Sequence, residues 1–228
     1  MLRIILLLAT IICGPVAIAE NTTNCGSLYG DWNVDDYRDP KFWNQAPGER
    51  THLYLVEAYH FNNAKEMMAK NQNLTSQQAR VIWKDLDYTL RHIPNHHLAL
   101  HYVFDLERRN GGVLNDGNRS GKAGFVPSSY CYFNRAKRLN SKDDVIYLVY
   151  GIHLHKLKDY TKAYEMYKKS ESLNPNSIEL AYNIGLLLAD QGNYQEAKKY
   201  AESVYERGYQ FNGLKNRLKK AGYWPNNS

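Results

Sequence analysis

The chain has 228 residues, 43% of them hydrophobic, and a formal net charge of +6 at pH 7. That length allows one large domain or a smaller one with an extension, and the apolar content excludes wholesale disorder. Acids and bases are interspersed, which argues against nucleic-acid binding, and nineteen tyrosines against six phenylalanines point to broad, half-wet surfaces rather than one dry core.

The N-terminus reads as a targeting segment. Arg3 supplies a positive n-region, "IILLLATIIC" an apolar h-region, and "AIA" before Glu20 a small-residue cleavage site. The apolar run from Ile4 to Ala19 is interrupted by Gly14-Pro15 and is short for a membrane span. Residues 1–19 are therefore expected to be a signal peptide, with an uncleaved anchor as the alternative and the only expected membrane contact. Cleavage removes Cys13 and leaves Cys25 and Cys131. An even cysteine count in an exported chain favours a Cys25–Cys131 bridge over two unrelated thiols. The expected location is the periplasm or the exterior.

Residues 20–61 form an aromatic-rich stretch with no helical period, read as an irregular N-terminal extension; within it "THLYLVEAYHF" fits either a strand or a helix start. "NNAKEMMAKN" is a short helix, and "TSQQARVIWKDLDYTLRHI" a longer one opened by a capping-box pattern at Thr75 and Gln78. Ile82, Leu86 and Thr89 share its packing face. Next come "HHLALHYVFDLERR", a turn-forming insert over 110–126, and a helix opening at Pro127.

The stretch from Asp144 is the most regular. Numbered from there, Tyr147, Tyr150, Gly151 and Leu154 occupy the fourth, seventh, eighth and eleventh places. Tyr160, Ala163, Tyr167, Ser170 and Pro175 occupy the seventeenth, twentieth, twenty-fourth, twenty-seventh and thirty-second. The stretch from Ile178 repeats Ile184-Gly185, Leu188, Tyr194 and Ala197 in register, then drifts, with Ala201, Val204 and Tyr209 in the last three places. This pattern resembles the tetratricopeptide repeat (TPR).

The resemblance implies an all-α, right-handed solenoid of helix-turn-helix units. Its expected division is 62–96 (a degenerate first repeat), 97–143 (a repeat carrying the 110–126 insert), 144–177 and 178–211, with a capping helix at 212–224. Leu214, Leu218 and Ala221 form the apolar stripe of the cap.

In such a stack the first helix of each pair lines a groove, at its second, fifth, ninth and twelfth places. Here those are Leu98, His101, Asp105 and Arg108; Val145, Leu148, Ile152 and His155; and Glu179, Tyr182, Leu186 and Ala189. TPR domains that hold acidic chaperone tails carry Lys, Arg and Asn there. Only Asn183 stands in a comparable place, so that activity is not expected. Val145, Leu148, Ile152, Tyr182 and Leu186 would together expose an apolar surface near the limit for a soluble monomer. The extension offers Tyr29, Trp32, Tyr37, Phe42 and Trp43 to cover it, so a self-filled groove is expected.

Little else points to chemistry. His97 and His101 have the i, i+4 spacing of metal ligands, but no glutamate follows His97 as the metalloprotease pattern requires. "GNRSGKAG" has three residues between Gly117 and Gly121, one short of a phosphate loop, and Ala123 where Ser or Thr is needed. Neither a cofactor nor a metal is expected. The function expected is a non-catalytic exported scaffold that binds a polypeptide partner in an envelope assembly or secretion complex. A cell-wall or glycan-binding module using exposed aromatics is the alternative, and a histidine-based metal protein or enzyme the third choice.

Overall fold

Stretches with a 3.6-residue apolar period are helical in the computed structural model, which describes Cys25 and residues 34–44, 48–111 and 127–225. The expected signal segment 1–19, Tyr29, Trp32 and most of the insert lie outside the described residues. After a short 3₁₀ turn at Pro40–Phe42 come α1 (His52–Val56), a π-turn (Glu57–Phe61), α2 (Asn62–Lys70), α3 (Ser76–His92), α4 (His97–Arg109) and α5 (Ser129–Leu139). These are followed by α6 (Asp144–Lys156), α7 (Tyr160–Leu173), α8 (Ile178–Asp190), α9 (Tyr194–Glu206) and α10 (Gly213–Lys220). No strand occurs among the described residues. Successive pairs stack into an α-solenoid, α4 with α5, α6 with α7 and α8 with α9, because each pair leaves an apolar face that only its neighbour buries.

The repeat is visible in the backbone itself. The turn after the first helix of each pair places Gly111, Lys158 and Gly192 in the fifteenth place, at φ 70°, 64° and 81°. A left-handed residue there lets the chain reverse while the last carbonyls stay bonded, as in Asp159 N to Leu154 O and Asn193 N to Leu188 O. Only Lys158 among the three carries a side chain in this conformation.

Gly151 and Gly185 set the approach of the paired helices. A Cβ at Gly151 would lie 2.5 Å from the Tyr167 ring, so the ring packs against bare backbone. In the next pair Ala201 replaces that ring, and Leu214 of α10 fills the space, 2.5 Å from where a Cβ of Gly185 would be. The drift at Ala201 therefore makes room for the cap. Leu214 and Leu218 are fully buried beneath it.

The N-terminal boundary expected at residue 61 is corrected. Thr51 caps a helix starting at His52, its hydroxyl accepting from Tyr54 N. Leu53 and Val56 of α1 and Phe61, Ala64 and Met68 beyond it are all buried, the first two in a small core of their own and the others in the main core. The five-residue step from Val56 to Phe61 is taken up by the π-turn. That step breaks the 3.6-residue period, so the segment reads in the sequence as either a strand or a helix start, and the structure shows the helix.

Cys25 and Cys131 are joined, with Cα atoms 5.5 Å apart, and both are buried in the main core. Farther along, the extension lies against the turns between units. Asp35 N bonds His92 O at 2.9 Å, and Tyr37 N bonds Asn95 Oδ1 at 2.9 Å. Asn95 Nδ2 and Asn140 Nδ2 both donate to Asp36. Arg38 reaches Asp143 at 3.2 Å and Asp144 at 3.0 Å.

For Tyr37, Phe42 and Trp43 the expected filling of the groove is thus corrected. Tyr37 packs on the rings of His96 and His97, and Phe42 makes a small core with Leu53, Val56 and Ile93. Trp43 stays 57% exposed, held by a bond from its Nε1 to Tyr37 O. The turns contain buried polar groups, Asn95 and Asp143, that need partners, and the extension's Asp36 and Arg38 supply them.

Candidate functional site

The first helices α4, α6 and α8 lie side by side and form the inner face of the stack. Between α4 and α6 is a shallow, solvent-open depression, about 200 Å³ only when the open solvent over it is counted. From α4 it is lined by His101, Phe104, Asp105 and Arg108, three of which are expected groove residues. From α6 come Val149, the expected Ile152, His153 and Lys156. The α4 and α6 residues converge because 3.6 residues per turn bring the fifth, ninth and twelfth places to one side of a helix.

The rest of the expected groove is divided differently. Leu148 is only 7% exposed and belongs to the core, because α6 is flanked by α4, α5, α7 and α8 and is apolar on nearly every side. Val145 is half-buried against that core, while Leu98 is 48% exposed. Tyr182 packs against Tyr209 with the rings tilted and their centroids 4.7 Å apart, and Leu186 packs in a second cluster under α10. The continuous apolar strip expected from Val145 to Leu186 is therefore broken into a core segment and a capped segment. Asn183 donates its Nδ2 to Glu179 O one turn back on its own helix, at 2.7 Å, so it is engaged locally. His155 Nε2 is 2.9 Å from Asp190, which also takes Arg217 at 2.9 Å and ties α6, α8 and α10 together.

The electrostatics of the pocket are uneven. Asp105, 8% exposed, is paired with Arg108 and with Arg109 Nε at 2.6 Å. Burial alone would raise its carboxyl, but these guanidinium groups hold it below the usual carboxylate range. Burial lowers the Lys156 amine, and Arg108 and Arg109 add to the effect against the pull of Asp105. His101 is lowered for the same reasons, burial first and then Lys156. The frame of groove places did not include Lys156 and Arg109. Both stand in the thirteenth place of their units, so the signal was present in the sequence one residue beyond the places counted.

Behind the pocket, Ser129 Oγ is 3.3 Å from His153 Nε2, and Glu107 Oε2 is 3.7 Å from the same nitrogen. This grouping of Ser, His and Glu does not have the geometry of a nucleophilic triad. The carboxylate and the hydroxyl approach one nitrogen rather than opposite ones, and all three residues are buried. Elsewhere His97 Nε2 is held 2.8 Å from Asp143, and no three His, Cys, Asp or Glu side chains gather in a metal-binding geometry among the described residues.

Burial, with Lys156 and Arg108 nearby, pushes the His153 imidazole down to about 4, from an ordinary 6.5. In the unfolded chain it gains its proton near pH 6.5, whereas the folded site resists until about pH 4. Stability from this group is present above pH 6.5 and lost as pH falls toward 4, by up to about 3 kcal/mol. His96, lowered mainly by burial, acts in the same direction, and the raised Glu107 carboxyl opposes it by taking up a proton in the folded state. Urea unfolding of His153→Gln is expected to show a shallower loss of stability between pH 6.5 and 4 than the parent chain. Equal slopes would remove His153 from the account.

Stacked helix pairs sharing an inner face of first helices define an α-solenoid of the interaction-scaffold class. Residues 146–177 and 178–207 match the tetratricopeptide repeat family, and these two adjacent units are TPRs. No curated protein matches the chain in sequence. Among solved structures, the crystal structure of MamA is similar at 16% identity and a TM-score of 0.41, covering 77% of this chain and 99% of that chain.

Proposed function

We propose that this protein is an exported, non-catalytic scaffold that holds a polypeptide partner on its inner face within an envelope assembly or secretion complex. The observation that carries the binding half is the α4–α6 pocket, where His101, Asp105, Arg108 and Ile152 meet on the face that the described extension leaves uncovered. Export is supported by the apolar segment before Glu20 and by the buried Cys25–Cys131 bridge, a linkage that persists in oxidising compartments. The Ser129–His153–Glu107 group supports structure rather than catalysis, since the hydroxyl and the carboxylate approach the same imidazole nitrogen and Ser129 and Glu107 are buried behind His153.

A photo-crosslinking residue placed at Ile152, compared with one at Glu165 on the exposed side of α7, tests this in the protein's own cells. Adducts with one partner are expected from position 152 and not from 165, in an extracytoplasmic fraction. Adducts from 165 alone would move the partner surface to the outer face, and adducts confined to the cytoplasm would overturn the export assignment.

A further inference from the structure

We infer that the N-terminal end of the solenoid is an interface to a second copy of this chain. In it α3 of one subunit lies antiparallel on α3 of its partner, about a two-fold axis passing between residues 84 and 85. The inner face stays free in this arrangement, so the inference is independent of the partner proposed above.

The register of the repeat carries the argument. Ile82, Leu86 and Thr89 are fully buried and stand in the twentieth, twenty-fourth and twenty-seventh places of the first unit. The twenty-third and twenty-sixth places lie on the flank of the second helix that faces the preceding unit. In α5 they are Tyr132 and Arg135, both buried and bonded to Asp87 and to the carbonyls of Leu90 and Arg91 on α3. In α7 and α9 the twenty-third place holds Met166 and Tyr200, both packed against the main core. The same flank of α3 carries Asp85 and Tyr88, but no helix pair precedes this unit among the described residues. Tyr88 stacks on His60 and is still 41% exposed.

Helical periodicity places Val81 on that flank too, at i, i+4 and i+7 with Asp85 and Tyr88. Val81 stands in the nineteenth place, where the later units have Ser128, Lys162 and Glu196. Units with a predecessor are polar here; the first unit alone is apolar, and its Val81 is 40% exposed. Tyr59 extends the surface, exposed one turn before Asn63, whose amide donates to Asp85. The other end of the stack is closed, since Leu214 and Leu218 of α10 are buried there and Arg217 and Lys220 lie outside. An end repeat without such a cap exposes the face that stacking would bury.

The pattern along α3 is its own complement. Val81 and Tyr88 are two helical turns apart and lie symmetrically about a point between Lys84 and Asp85. An antiparallel mate therefore sets Val81 against Tyr88 of the partner subunit. The same axis sets the exposed Lys84 against Asp85 of the partner subunit. Asp85 can accept this bond, since His60 and Asn63 take up only two of a carboxylate's roughly four acceptor sites. α3 has 17 residues and is about 25 Å long, and with α2 beside it the end face is about 20 Å wide. Two such faces bury on the order of 1,000 Å², the lower edge for a specific interface. A head-to-tail stack would instead desolvate Arg217 and Lys220 against Val81 and Tyr88, which is costly.

Sedimentation of the mature, disulfide-bonded chain is expected to show a monomer–dimer equilibrium with a midpoint on the order of 10 µM, as a small interface gives. Val81→Glu and Tyr88→Glu each bury an unpaired carboxylate at the axis and are expected to raise that midpoint by about tenfold or more. The melting temperature of the dilute protein is expected to stay unchanged. Val81→Glu decides the matter should Tyr88→Glu lower it, since Tyr88 also packs on His60. Cysteines read the axis. Val81→Cys chains mixed with Tyr88→Cys chains are expected to form a covalent dimer on oxidation. Neither variant alone is expected to do so, because like positions sit about 10 Å apart along the helix pair, beyond disulfide reach. A chain that stays monomeric far above that midpoint would overturn the inference. So would a midpoint unmoved by Val81→Glu, equal crosslinking in the unmixed variants, or growth past the dimer, which marks a head-to-tail stack.

Discussion

Replacing Asp143 with alanine is expected to lower stability by about 3 to 5 kcal/mol, the range for removing one member of a buried charged network. Its carboxylate is fully buried and accepts four hydrogen bonds. Oδ2 takes Asn95 Nδ2 at 2.9 Å and His97 Nε2 at 2.8 Å. Oδ1 takes Arg38 at 3.2 Å and Val145 N at 3.1 Å, the last being the N-cap bond of α6. Loss of the cap alone accounts for about 1 kcal/mol. The larger part comes from Asn95, itself fully buried, left with one donor unpaired.

Burial by itself would raise the Asp143 carboxyl, but the bonds from His97 and Asn95 and the charge of Arg38 hold it below its usual value. Its contribution is thus present above the ordinary carboxylate range and is lost only as pH falls through the lowered value. Asp143→Asn, which keeps an acceptor at the cap, is expected to cost less than alanine. Urea unfolding at neutral pH measures both, and hydrogen exchange at Asp35 and Tyr37 reports whether the extension has come loose. A loss under 1 kcal/mol with unchanged exchange would mean that the extension is held from elsewhere.

Removing the Cys25–Cys131 bridge as the double alanine variant is expected to have an effect of similar size. The bridge closes a loop across a sequence separation of 106 residues. In the chain-entropy account that restricts the unfolded state by about 4 to 5 kcal/mol. Both half-cystines lie in the main core, at 4% and 1% exposure, so alanine also removes buried contacts. For a chain of this size the shift in melting temperature is on the order of 10 °C. Calorimetry of the variant against the parent gives the result directly. An unchanged melting temperature would show that the extension's polar contacts to the turns hold it without the covalent tie.

The regular part of the fold was legible because a repeat writes its packing into fixed places. Gly151, Ala163 and Tyr167 predict the α6–α7 pair, since a ring can reach the backbone only where no side chain intervenes. The segment of α1 reads as either a strand or a helix start, because the π-turn changes the period between Val56 and Phe61. Cys25 and Cys131 were legible as a pair once the expected signal segment took Cys13 out of the count. Leu148 was misread as surface because groove places are assigned by position in a unit, whereas its exposure depends on how closely four other helices surround α6.

The sequence by itself determined the helix pairs, their spacing and the cap, all of which follow from contacts within about one repeat length. Tertiary structure alone decided where the extension lies and which charges meet. Asp143, Asn95 and Arg38 are brought together across 105 residues by the need to pair buried polar groups in the turns. Asp105, Arg109 and Lys156 meet because α4 packs against α6. Such meetings depend on distances between elements far apart in the chain, and no local period records them.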